Sequence, residues 1–152
     1  MERLEGYENV DHVLSVLAEF HRRLAGWMSE LGEVAEERRG LEFRYVARQH
    51  TLRSEALADF RSDADPTLLR SWFQIPFPEN PADFLRGLAS QPDAVSLTEI
   101  LAATDGFIDR LLSHLHDRAE TAGVKALFQD LLDSELRDRR LRSRALDSFS
   151  RL

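Results

Sequence analysis

Cysteine is absent from all 152 residues. That excludes a disulfide framework, a thiolate nucleophile, a thiolate zinc site and a cysteine-held iron–sulfur cluster. Glycine and proline are scarce, at seven and five. A sandwich or barrel of many short strands needs more turn residues than that, so this class falls too. Long apolar runs are missing. Nothing approaches the ~18 residues of a membrane span, and the acidic opening MERLEGYENVDH lacks the apolar stretch of a signal peptide. No membrane association and a cytoplasmic location are therefore expected. Positive charge is in deficit, with a net charge of −7 and a pI near 5.2. Phosphate neutralisation needs a basic surface, so nucleic acid is not an expected partner. Chemical motifs are also few. There is no Gly-x-Ser-x-Gly elbow and no Gly-rich phosphate loop. His114-x-His116 places its rings about 200° apart on a helix, which reads as a solvated pair.

What is present is helical periodicity. Hydrophobic residues at 43% and charged residues at 31% are ordinary for a globular chain, and the length suits one domain with one core. Val10, Leu14, Leu17, His21, Leu24, Met28 and Leu31 recur at three- and four-residue steps, the stripe of a bundle helix, with Asn9 or Asp11 available as its N-cap. A second helix is read from about Leu41 to Phe60, with Phe43, Val46, Ala47, His50, Arg53, Leu57 and Phe60 in register. Ser96 and Glu99 form a capping box ahead of a third, striped by Leu97, Leu101, Ile108, Leu111, Leu112 and Leu115. The fourth follows Gly123 and carries Val124, Phe128, Leu131, Glu135, Asp138, Arg142, Ala145 and Phe149.

Short connections make each consecutive pair an antiparallel hairpin. The expected organisation is one domain over 1–152: a hairpin at 9–61, a crossover at 62–95 and a hairpin at 96–150. All five prolines fall in the crossover. Asp65-Pro66 and Asn80-Pro81 have the cap-then-proline form of a helix start, which predicts short helices near 66–73 and 81–89. Trp72, Phe73, Phe77 and Phe84 give this segment more apolar surface than a linker keeps in water. A homodimer is expected to cover it, with Trp72, Phe73 and Phe77 as interface candidates.

The two hairpins match one another. A shift of 84 places Val16-Leu17-Ala18 on Ile100-Leu101-Ala102, and a shift of 85 places Phe43 on Phe128 and His50 on Glu135. Two equivalent hairpins joined by a long crossover form the ferritin-like topology. The sequence resembles a divergent member of that superfamily in the rubrerythrin-like style, most clearly over Val124–Asp138. The resemblance implies an all-α ferritin-like four-helix bundle. In such relatives helices two and four each carry Glu-x-x-His, whose side chains bind a di-iron pair. Here those pairs read His50-x-x-Arg53 and Glu135-x-x-Asp138, and Arg has no lone pair to give. Counting back by the family's spacing reaches Leu17 and Ala102, where the remaining glutamates would stand. The di-iron motif is degenerate, and the activity it implies is not expected.

His21, His50, Arg53, Asp105, Glu135 and Asp138 all sit on buried stripes, where any one charge alone would cost several kcal/mol. They are expected to meet as a core polar cluster, Arg53 against Glu135 or Asp138 and the histidines against Asp105. The Arg-rich run Arg137, Arg139, Arg140, Arg142, Arg144 reads as a salt-laced exposed face. The functional expectation is a non-catalytic binding or assembly module without cofactor. Its alternatives are a rearranged iron, zinc or manganese site serving oxidoreductase or storage chemistry, and a small-molecule binder using the cleft between hairpins.

Overall fold

The structure, a computed structural model, describes residues 1–76, 79–91 and 96–151. Four long helices carry it: α1 (Val10–Val34), α2 (Glu37–Asp63), α5 (Leu97–Arg118) and α6 (Ala122–Phe149). Each starts where a side chain accepts an otherwise orphaned amide: Asn9 for α1, Glu36 for α2, Ser96 for α5 and Thr121 for α6. α2 begins four residues earlier than the apolar stripe alone suggests, because Glu36 supplies the cap and Glu37 complements the helix dipole. Only Ala35 and Glu36 therefore separate α1 from α2. The turn is tight enough that a Cβ added to Gly40 would lie 3.0 Å from the Gly32 carbonyl oxygen, and one added to Gly32 would lie 3.1 Å from the Phe43 Cβ. Glycine at both positions lets the two helices close on each other.

The crossover is more than two short helices. α3 (Pro66–Leu69) starts with the Asp65 carboxylate accepting from Thr67, but it ends before residue 73. Trp72–Gln74 instead forms a strand, β2, antiparallel to β1 (Tyr7–Asn9), with Glu8 opposite Phe73. The Val10 amide donates to the Ser71 carbonyl and the Ile75 amide to the Gly6 carbonyl, extending the ribbon at both ends. After it comes α4 (Pro81–Ala89). Asn80 does not cap α4 with its side chain; its amide group bonds the Leu4 backbone in both directions and fastens the N-terminal segment to the crossover.

Strand alternation decides which crossover aromatics face inward. Phe73 is 1% exposed and its ring lies 5.9 Å from that of Phe128 in the core. It cannot be an interface residue, and that expectation is corrected. Trp72 faces out and stacks on Tyr7 at 5.0 Å, half exposed. Phe84 stacks on Phe107 at 4.3 Å. Phe77 lies outside the described residues. Among the described residues of the crossover, Phe73, Ile75 and Leu88 are part of the main apolar core and Phe84 packs against it.

The core runs the length of the bundle in two parts. One gathers Phe20, Leu24, Leu57, Phe107, Leu111 and Phe128 among others; the second holds Met28, Phe43, Val46, Leu97 and Leu101 toward the α1–α2 turn. Polar side chains occupy the middle.

Candidate functional site at the centre of the bundle

Each of the four long helices sends a charged or imidazole side chain to one place. α1 contributes His21, α2 His50 and Arg53, α5 Asp105, and α6 Glu135, Asp138, Arg139 and Arg142. The helical period puts them there: His21 lies one turn from Leu17 and Leu24, His50 one turn from Val46, and Glu135 two turns from Phe128, all buried.

The geometry divides into three linked units. His21 and His50 stack at 5.1 Å with their Nδ1 atoms 2.9 Å apart. One of those nitrogens must donate and the other accept, so the contact needs at least one neutral ring. Burial, then the neighbouring His50 and Arg53 charges, holds His21 well below the ordinary histidine range. Burial and the Arg142 guanidinium push His50 down to about 4, with Asp105 pulling partly back. The pair is neutral at pH 7.

Arg53 is the second unit. Its Nε lies 3.3 Å from Glu135 and its terminal nitrogen donates to Asp138. Glu135 is also 3.8 Å from His21 Nε2, linking the two units. Burial raises the Glu135 pKa, against the lowering pull of Arg53 and Arg139. The third unit is Asp105, gripped by Arg142 through two hydrogen bonds of 2.6 and 3.1 Å, with Arg139 3.5 Å away. Arg139 also holds Asp109 at 2.8 Å.

Several expectations change here. The histidines pair with each other, and Asp105 belongs to Arg139 and Arg142. Those two arginines turn inward, so the Arg-rich run is an exposed face only in part. Ala102 is exposed, so it does not mark the place a glutamate would have filled on α5; Leu101, Thr104 and Ile108 face the core instead. His114 and His116 are half-buried rather than solvated, His116 meeting Asp117 at 3.0 Å. His12 lies between Glu8 and Glu2 at 2.7 and 2.6 Å. Glu8 could have been found in the sequence, because it stands four residues before His12.

The residues do not fit a di-iron pair. Among the described residues no set of three or more His, Asp and Glu is arranged to hold a metal ion. The carboxylates that a metal would use already face guanidinium groups, Glu135 and Asp138 that of Arg53 and Asp105 that of Arg142, and the histidine contact engages one Nδ1 lone pair. The guanidinium groups of Arg53, Arg139 and Arg142 face the carboxylates of Asp105, Asp109, Glu135 and Asp138. Three positive charges thus offset all but one of the four negative ones. Little space remains. Beside His21, Arg53 and Glu135 the centre of a water-sized sphere can range over about 10 Å³, room for one water.

No protein-family model matches the chain, and no curated protein does. In three dimensions it is similar to the crystal structure of a protein from Thermotoga maritima described as ferritin-like and diiron-carboxylate. The two share 15% of aligned residues and a TM-score of 0.58, over 97% of this chain and 98% of the other. The chain has the all-α ferritin-like fold.

Proposed function

We propose that this chain is a ferritin-like bundle that has exchanged a metal centre for an ion-pair network and serves as a non-catalytic binding or assembly module. Arg53 carries the reading. It stands on a helix-two position of the di-iron motif with its guanidinium against Glu135 and Asp138, a fixed positive charge where metal-binding relatives need a ligand. Inside the bundle the space beside His21 and Glu135 takes one water, and the roomier groove at Arg53, about 400 Å³, opens on the surface between α2 and α6. The function therefore lies on the outside of the bundle, and we place it in association with a second copy. Among the described residues no helix is long and apolar enough to cross a membrane.

The test is metal analysis of protein purified without chelator, followed by titration with ferrous, zinc and manganous ions. The expected result is no stoichiometric metal and no saturable binding near His21, His50 and Glu135 by histidine NMR. Iron at about two per chain, with a ligand-to-metal absorption band, overturns the reading. One zinc or manganese ion bound through the histidine pair replaces it with a rearranged metal site.

A further inference from the structure

α2 and α6 run antiparallel along one side of the molecule. Tyr45 meets Phe149, Gln49 bonds the Asp138 carbonyl, Arg53 meets Glu135, and Leu57 and Phe60 share a shallow groove with Leu127 and Leu131. That direction sorts the exposed charges by sign. At the end where Phe60 sits, α2 offers Asp59 and Asp63 and α6 offers Asp130 and Asp133; toward Tyr45, α2 offers Arg48 and α6 offers Arg137, Arg140 and Arg144, all exposed. None of these eight side chains has an opposite charge within 4 Å among the described residues. The exceptions to the sorting are Arg61, Glu42 and Asp147, engaged by Asp11, Arg39 and Arg151, Lys125, which donates to the His116 carbonyl, and Glu37 in the first turn of α2. Leu52 lies between the two ends, Phe60 at the acidic end and Leu141 among the arginines of the basic end, exposed by 48%, 38% and 52%.

Like charges from two neighbouring helices repel within one molecule. The apolar side chains along the same face remain in water. Both features are relieved by one partner, a surface with the same pattern turned end for end. The required size is also present: two helices about 40 Å long and about 10 Å apart offer on the order of 800 Å², the share each partner gives to a standard interface.

We propose that the α2/α6 face is where a second copy of this chain docks about a two-fold axis, the acidic end of each copy on the basic end of the other. This rests on the assembly reading above. It moves the contact from Trp72, which stacks on Tyr7 in the β1–β2 ribbon, onto the two helices.

Sedimentation of three proteins tests it: wild type, an acidic-end variant (Asp59→Lys with Asp130→Lys) and a basic-end variant (Arg140→Glu with Arg144→Glu). All four positions are exposed, and far-UV circular dichroism checks that each variant folds. Wild type is expected to be a dimer at about 100 μM, dissociating as salt screens the end charges. Each variant is expected to be monomeric alone, and an equimolar mixture of the two to form a heterodimer. A mixture that stays monomeric, or variants that dimerise as wild type does, overturns this interface and leaves assembly itself standing. A monomeric wild type overturns the interface and the assembly reading together.

Discussion

Arg53 reaches two carboxylates with one side chain, and the two contacts differ in weight. Glu135 is nearly buried, whereas the Asp138 side chain is 41% exposed, so solvent screens the second contact. Removing the guanidinium takes the close counter-ion from Glu135 in the core and leaves only the more distant Arg139. Arg53→Ala is expected to destabilise by about 3 kcal/mol in urea unfolding, and Arg53→Met combined with Glu135→Gln by noticeably less, since no lone charge is then left behind. A wild-type midpoint for Arg53→Ala would show the side chain to be solvated. The histidine pair gives the molecule a pH slope. His50 binds a proton near pH 6.5 when unfolded and near 4 when folded, so the unfolded state holds more protons between those values. Its contribution is complete above about pH 6.5 and is lost as pH falls toward 4, on the order of 3 kcal/mol. Glu135 has its pKa raised and works in the opposite direction just above pH 4.5, which blunts the lower part of the slope. The expected measurement is a urea midpoint that declines from pH 7 to 5 in wild type and less steeply in His50→Gln, where His21, also held below the ordinary range, keeps its own share. Stripe position showed which helical face each of these side chains occupies. It did not show that Arg139 and Arg142 would take Asp105 from the histidines, because the period fixes a face and not the reach of a long side chain.

Among the elements, glycines separate two kinds of helical position. Gly26 lies mid-helix in α1 with nothing within 4 Å of a Cβ, while the Cβ of Gly40 would press on backbone. Gly26→Ala is expected to raise stability by about 0.5–1 kcal/mol through helix propensity; Gly40→Ala is expected to lower it, because a carbonyl in a packed helix cannot step aside. Thermal melts of the two variants should move in opposite directions. The β1–β2 ribbon yields a similar contrast. Phe73→Ala empties core volume against Phe128 and is expected to cost about 3–5 kcal/mol, whereas Trp72→Ala, on the outer face, should cost far less. The long helices were readable because each spans many turns of a regular stripe and opens on a capping side chain. The ribbon was not. Three residues per strand are too few to display alternation, and the Trp72-Phe73 pair extended a helical reading that began at Asp65-Pro66. The partner strand, Tyr7–Asn9, lies in another part of the sequence, where pattern within β2 carries no information about it.

For the whole molecule, a bundle fastened by its own guanidinium groups has one melting curve. A metal-centred relative gains stability with ion concentration, as any ligand bound only by the folded state provides. Here the melting temperature is expected to be the same with excess chelator as with added iron, zinc or manganese; a rise of several degrees with any one of them would reveal a site the ion-pair network conceals. The ribbon has a further consequence, and it concerns time. The two helical hairpins join neighbours in the chain, so they can form early. The pairing of Glu8 with Phe73 closes a long loop, whose entropy must be met before its contacts repay it. It should be a late event in folding and an early one in unfolding. Amide protons of Phe73 and Ile75 would then exchange with solvent sooner than those of Val46 or Leu111, and a protease would find its first cut near the N-terminus while the four helices still stood.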